Sequence, residues 1–141
     1  AEYKSSNVKF DEVRSEFSMN IANAYAKETG VADWNRKYTL TEKSLIIEDQ
    51  FELNALKSPN QIHFMTWAKP IISDNGLVTL QKLGKQVNMN YDASVFELKI
   101  EPIILSDTRL SNVWGSEIYR MVFTAKKQTL KGKYKFAISK G

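Results

Sequence analysis

Along most of this chain, apolar and polar residues alternate with a period of two rather than 3.6. In "KSLIIEDQFEL" Leu45, Ile47, Phe51 and Leu53 share one face, interrupted by Asp49, while Ile46, Glu48, Gln50 and Glu52 share the other. "KQVNMNYD" sets Val87, Met89 and Tyr91 against Asn88 and Asn90. "SVFELKI" sets Phe96, Leu98 and Ile100 against Glu97 and Lys99. "KGKYKFAIS" sets Tyr134, Phe136 and Ile138 against Lys133, Lys135 and Ala137. Each run predicts a strand with one face on a core and the other in water. Asn75-Gly76 in "SDNGL" tolerates the positive φ of a tight hairpin turn, and Gly84 and Gly132 suit longer or bulged hairpins. Pro59, Pro70 and Pro102 fall at strand borders, where a missing N–H is tolerated. The pattern predicts about ten strands in an all-β, antiparallel two-sheet sandwich.

One segment breaks the alternation. "NIANAYAKETGV" holds good helix formers and ends at Gly30, predicting one short helix near residues 22–29. No repeat, low-complexity tract or internal linker divides the chain, so residues 1–141 read as a single domain.

Composition adds bounds to this picture. A chain of 141 residues with 43% hydrophobic and 26% charged residues can bury an ordinary core. The net charge is +4, and the lysines of "KKQTLKGKYKFAISKG" meet no acid within that stretch. Solvated hairpin faces explain such a run, and neither a nucleic-acid nor a membrane partner is expected. The absence of cysteine excludes disulfides, thiolate metal sites and cysteine nucleophiles. The opening "AEYKSSNVKF" reads like the middle of a protein, which suggests an excised fragment.

Candidate chemistry is sparse. His63, the one histidine, lies in "NQIHFMTWAKP", where it shares a face with Met65 and Trp67 and reads as a sheet residue rather than a catalytic one. One histidine and no cysteine leave carboxylates alone as metal ligands. Asp74, Asp92 and Asp107 leave a calcium site open, but no loop has the dense acidic spacing of a calcium motif. Phosphate-cradling glycine patterns and nucleophile elbows are absent. No catalytic, cofactor-binding or metal-binding residue is therefore assigned. Aromatic faces suit the C–H faces of sugars, and Trp114, in the loop-like "SNVWGSE", is the foremost candidate contact. Tyr119 and Arg120 accompany it, the arginine able to pair with a sulfate or carboxylate.

Several segments, in order, resemble the C-terminal β region of bacterial heparinase II/III-like polysaccharide lyases. They are "SMNIANAYAKETGVADWNRKYTL", "SLIIEDQFEL", "NQIHFMTWAKPIISDNGLVTL" and "SNVWGSEIYRMVFTAKKQTLKGKYKFAIS". Ala26 departs from the pattern, standing where the family usually has a proline after Ala-Tyr. The resemblance implies a supersandwich-like domain from the C-terminal end of a larger protein, packed against an upstream catalytic helical toroid. It further implies a periplasmic or extracellular location and an acidic polysaccharide substrate for the parent enzyme, cleaved by β-elimination. The tyrosine or histidine that takes the proton in such lyases, and the groups that neutralise the uronate carboxylate, would lie before residue 1. None maps onto this chain. Two other readings stand beside this one: an autonomous carbohydrate-binding module for acidic polysaccharide, and an adhesive immunoglobulin-like domain. A fragment is also expected to expose an apolar patch or sheet edge through which it self-associates.

Overall fold

The computed structural model describes residues 3–141. Among these described residues the fold is an all-β antiparallel sandwich of eleven strands with one α-helix. The backbone falls into two compact units, the first comprising residues up to 59 with 127–139 and the second residues 60–126 with 140–141.

The first unit is built from β1 (Ser6–Asp11), β2 (Glu16–Asn20), β3 (Val31–Leu40), β4 (Ser44–Leu53) and β11 (Lys131–Lys140), paired antiparallel in the order β1-β2-β3-β4-β11. Its core is the alternating face read from the sequence: Ile47, Phe51 and Leu53 of β4, with Trp34, Tyr134 and Phe136, are all buried. Trp34 stacks on Phe51 at 5.1 Å between ring centroids, and Phe51 meets Tyr134 at 4.8 Å. Gly132 explains how these rings fit. It lies within β11 directly opposite Phe51, and a Cβ there would come within 2.7 Å of the Phe51 ring. The sequence reading gave Gly132 to a turn; it is instead the gap in β11 that the ring occupies.

Asp49, the one acid on this apolar face, is 2% exposed. It sits opposite Arg36 in the β3–β4 register, and the guanidinium Nε and one Nη each donate to a carboxylate oxygen at 2.7 Å. The hydrogen bond to Asp49 raises the arginine's pKa further above its ordinary range, so Arg36 carries its charge at every accessible pH.

Residues 22–29 do not form the expected short helix. Ala22–Ala24 and Lys27–Thr29 are separate 3-10 turns. Tyr25 and Ala26 between them are extended, and the Tyr25 ring reaches Trp34 at 6.3 Å. Helix propensity over so few residues is weak, and docking of one aromatic side chain outweighs it. Gly30 does terminate the second turn in the left-handed conformation, as the sequence suggests.

The second unit holds β5 (Gln61–Thr66), β6 (Pro70–Ser73), β7 (Leu77–Lys82), β8 (Lys85–Tyr91), β9 (Phe96–Ile104), α1 (Thr108–Trp114) and β10 (Glu117–Ala125). Strands β6, β7 and β8 form one antiparallel ladder, and β5-β10-β9 forms another. The two ladders meet through Phe123 of β10. Its fully buried ring touches Tyr91 of β8 at 4.9 Å, Phe64 of β5 at 5.8 Å and Phe96 of β9 at 6.0 Å. Burying such a ring is worth about 1.5–3 kcal/mol, and the T-shaped contacts add to that.

The hairpin turns differ in how well their residues suit them. Gly76 has φ +74° and lies so close to Tyr91 that a Cβ would meet the tyrosine's carbonyl oxygen at 2.3 Å. The β7–β8 turn is the two-residue loop Leu83-Gly84, with φ values of 51° and 72°. Two positive φ angles in succession define a turn that favours Asn-Gly, and leucine pays about 1–2 kcal/mol to adopt the left-handed region. Leu83 is also 80% exposed, so no packing offsets that strain.

Two stability outcomes follow from these elements. Arg36→Met strands a buried carboxylate and is expected to cost about 3–5 kcal/mol, whereas the double variant Arg36→Met/Asp49→Leu recovers most of the loss. Asp49→Leu alone costs less, because the Arg36 side chain keeps 22% of its exposure and can reach water. Urea titrations of the three variants measure this, and simple additivity of the single losses in the double variant would refute the coupling. Leu83→Asn is expected to raise the urea midpoint at unchanged slope, by about 1 kcal/mol of stability.

Candidate functional site

The richest chemistry of the second unit gathers where β5 ends, β7 ends and β10 begins. Thr66 closes β5 with a local turn, its hydroxyl accepting from the Ala68 N–H and donating to the Ala68 carbonyl, both at 3.1 Å. That turn sets the backbone of Trp67. Between β9 and β10 the chain makes an excursion whose base is closed by the Leu105 N–H bonding to the Ser116 carbonyl at 2.8 Å. The excursion contains α1, capped by Asp107, whose carboxylate accepts from the Arg109 N–H at 2.8 Å. Gly115 stops the helix with φ +86°, and Trp114 is its last residue.

The two tryptophans meet edge to face, with centroids 6.3 Å apart and planes at 83°. Lys82 of β7 places its ammonium 4.2 Å from the centroid of Trp67, a contact worth about 0.5–1 kcal/mol at an exposed site. Together they wall two depressions. One, of about 350 Å³, is lined by Trp67, Trp114, Lys69, Lys82, Gln81 and Glu117 among others. The other, of about 210 Å³, lies against apolar residues that include Met65, Leu110 and Ile118. The Trp67 indole N–H is buried without a hydrogen-bond partner. A desolvated donor of that kind costs about 1–3 kcal/mol, so the ring is held there by its packing.

The three candidate sugar contacts separate. Trp114 is 48% exposed and lines both depressions. Tyr119 lies at the floor of the larger one, 8% exposed, its hydroxyl donating to Glu117 Oε1. That hydrogen bond, with burial behind it, raises the tyrosine's pKa, so the phenol is protonated at neutral pH. Arg120 follows Tyr119 in β10 and therefore projects from the opposite face of the ladder. There its Nε and one Nη donate to Glu101 Oε2 at 2.9 and 2.6 Å. His63 shares that outer face, exposed, with Gln61 Oε1 as its hydrogen-bond partner at 3.3 Å. Sequence reasoning ranked Trp67 below Trp114 as a sugar contact, because large aromatics usually pack in a core, and it missed Lys82, which becomes a neighbour of Trp67 only through the fold.

No protein-family model matches this sequence, and no curated protein matches it. Solved structures do. A mutant of heparan sulfate lyase HepC from Pedobacter heparinus superposes with a TM-score of 0.66 at 12% identity, over 97% of this chain and 21% of that one. The heparan sulfate lyase HepC structure from the same organism gives 0.67 at 15% identity, over 97% and 22%. The chain has the fold of one portion of that lyase. It spans about a fifth of the length of the HepC chains it matches.

Two of the three carboxylates weighed as calcium ligands have local tasks in this HepC-like fold. Asp107 caps α1, and Asp92 accepts from the Ser94 N–H at 2.8 Å in a turn between β8 and β9. Among the described residues no three His, Cys, Asp or Glu side chains cluster as a metal would need.

Glu101 supplies a pH test of the outer face. Its pKa is lowered first by the hydrogen bond from Arg120 and then by Lys99. The folded value lies below the unfolded one, so the stabilisation is fully present above the ordinary carboxylate pKa of about 4.3 and disappears as pH falls through the lower folded value. The stability difference between the parent chain and Arg120→Met is thus expected to be constant above about pH 5.5 and to shrink on acidification. Urea titrations from neutral to acid pH measure it; a difference that grew on acidification would contradict the pairing.

Proposed function

We propose that residues 1–141 act as a single, non-catalytic β domain from the C-terminal end of a bacterial heparinase II/III-like polysaccharide lyase, packing against and supporting an upstream catalytic toroid. The observation that carries this reading is one of proportion: 97% of this chain matches only 21–22% of the HepC chains. A lyase whose remaining length holds the reaction would need from this part only rigid surfaces.

The side chains here favour the same reading. β-Elimination from a uronate needs a base within reach of the proton and a group beside it to neutralise the carboxylate. His63 sits on a sheet face with an amide as its partner. The Tyr119 phenol is buried and holds its proton. Arg120 is committed to Glu101. The proposal carries with it an acidic polysaccharide substrate for the parent protein and a periplasmic or extracellular setting, where such polymers are met.

The test compares two proteins. The full product of the reading frame that contains this chain is expected to release unsaturated uronate from heparan sulfate or a related acidic polymer, followed by ultraviolet absorbance. The 141-residue chain alone is expected to match the buffer control. Turnover by the chain alone, or none by the full product across such polymers, would overturn the proposal.

A further inference from the structure

We propose that the groove walled by Trp67 and Trp114 is a binding subsite for an acidic saccharide, a pyranose chain bearing carboxylate or sulfate groups. The inference goes beyond the supporting role argued above and does not depend on it, since it rests on the groove alone.

Three observations converge. First, Trp114 is a platform: a residue half exposed at the end of a capped helix, lining both depressions. Its edge contact with Trp67 fixes the ring plane, so little side-chain freedom is lost when a ligand settles on it. The axial C–H groups of a pyranose match such a face. Second, the depression holds two cations. Lys69 and Lys82 line the larger depression, and neither has a carboxylate partner among the described residues. Lys82 is held by the Trp67 ring, which leaves its N–H groups directed to solvent or to an anion. Third, hydroxyl-binding groups line the same depression: the Gln81 amide and the Glu117 carboxylate, the latter already oriented by the Tyr119 hydroxyl.

Polyols need both donors and acceptors, and anions need cations; this groove offers all of them beside an aromatic face. A nucleic acid fits less well. The tryptophans stand at 83° and form no parallel slot for a base. At about 350 Å³ the depression is at the small end of ligand sites, the scale of one or two sugar rings.

Calorimetric titration of the 141-residue chain tests this, with tryptophan fluorescence as a parallel readout. The probes are a heparan sulfate tetrasaccharide, a neutral cellotetraose and a single-stranded oligonucleotide of matched charge. The sulfated uronate probe is expected to bind and to weaken with added salt, with the neutral probe at least about tenfold weaker. Trp114→Ala should weaken binding about tenfold or more, Trp114→Phe should retain part of it, and Lys82→Gln should weaken it a few-fold and flatten the salt dependence. Arg120→Gln, whose side chain is held by Glu101 and lines neither depression, should leave it unchanged. No binding of any saccharide, binding indifferent to Trp114→Phe, Trp114→Ala and Lys82→Gln alike, or tighter binding of the oligonucleotide would each overturn the proposal. The lyase assay of the full product reads neither Trp114 nor Lys82 directly, so either proposal can fail without the other.

Discussion

The second unit is organised around a single buried ring. Phe123 takes contacts from three strands of two ladders, and its position in β10 decides which residues of that strand face inward. With Phe123 inside, Met121 and Tyr119 must be inside as well, and Arg120 and Val122 must point away. A slip of one residue would reverse every assignment. The groove, its phenol floor and the charged outer face are consequences of that one choice of parity. The side chains at the groove come from the β5–β6 connection, β7, α1 and β10, which the ring and its neighbours hold in fixed register.

The first unit meets a different constraint. Its sheet carries an ionised pair, Arg36 and Asp49, on the same face as Trp34, Phe51 and Tyr134. Hydrophobic burial would be served as well or better by two apolar residues, so the pair is not there for stability alone. What it adds is register. Strand β3 can place Arg36 opposite Asp49 in one alignment with β4, and any other leaves two charges in an apolar layer.

The sequence was legible where one physical rule acted alone. Period-two alternation in 44–53, 85–91, 96–104 and 131–140 returned as β4, β8, β9 and β11, and Asn75-Gly76 returned as a turn. The count of about ten strands fell one short of eleven. Legibility ended where tertiary contact outweighed local preference. Residues 22–29 look helical by composition, but Tyr25 docks on Trp34 and the segment breaks into two turns. The real helix, Thr108–Trp114, read as a loop, although Asp107 before it and Gly115 after it are the stop signals that helices use. Of the candidate site, Trp114 was visible because an aromatic beside a glycine in a polar stretch is hard to explain as core. Trp67 was one aromatic among several and Lys82 was not visible at all, because no spacing in one dimension foretells which strand ends will meet. Arg120 was grouped with Trp114 and Tyr119 at one end of the sandwich, but it alternates with Tyr119 along the strand, and alternation sets the two on opposite faces.

Gly132 and Phe51 share one volume: the ring fills the space that a side chain on β11 would otherwise take. The two positions are therefore free to change only together. A methyl group at 132 becomes tolerable once the aromatic at 51 has shrunk, and a lineage that lost the ring first would pass through a cavity. Drift at this pair is expected to be compensatory, with large and small residues trading places across the ladder, while the lysines on the opposite face of β11 vary without reference to it.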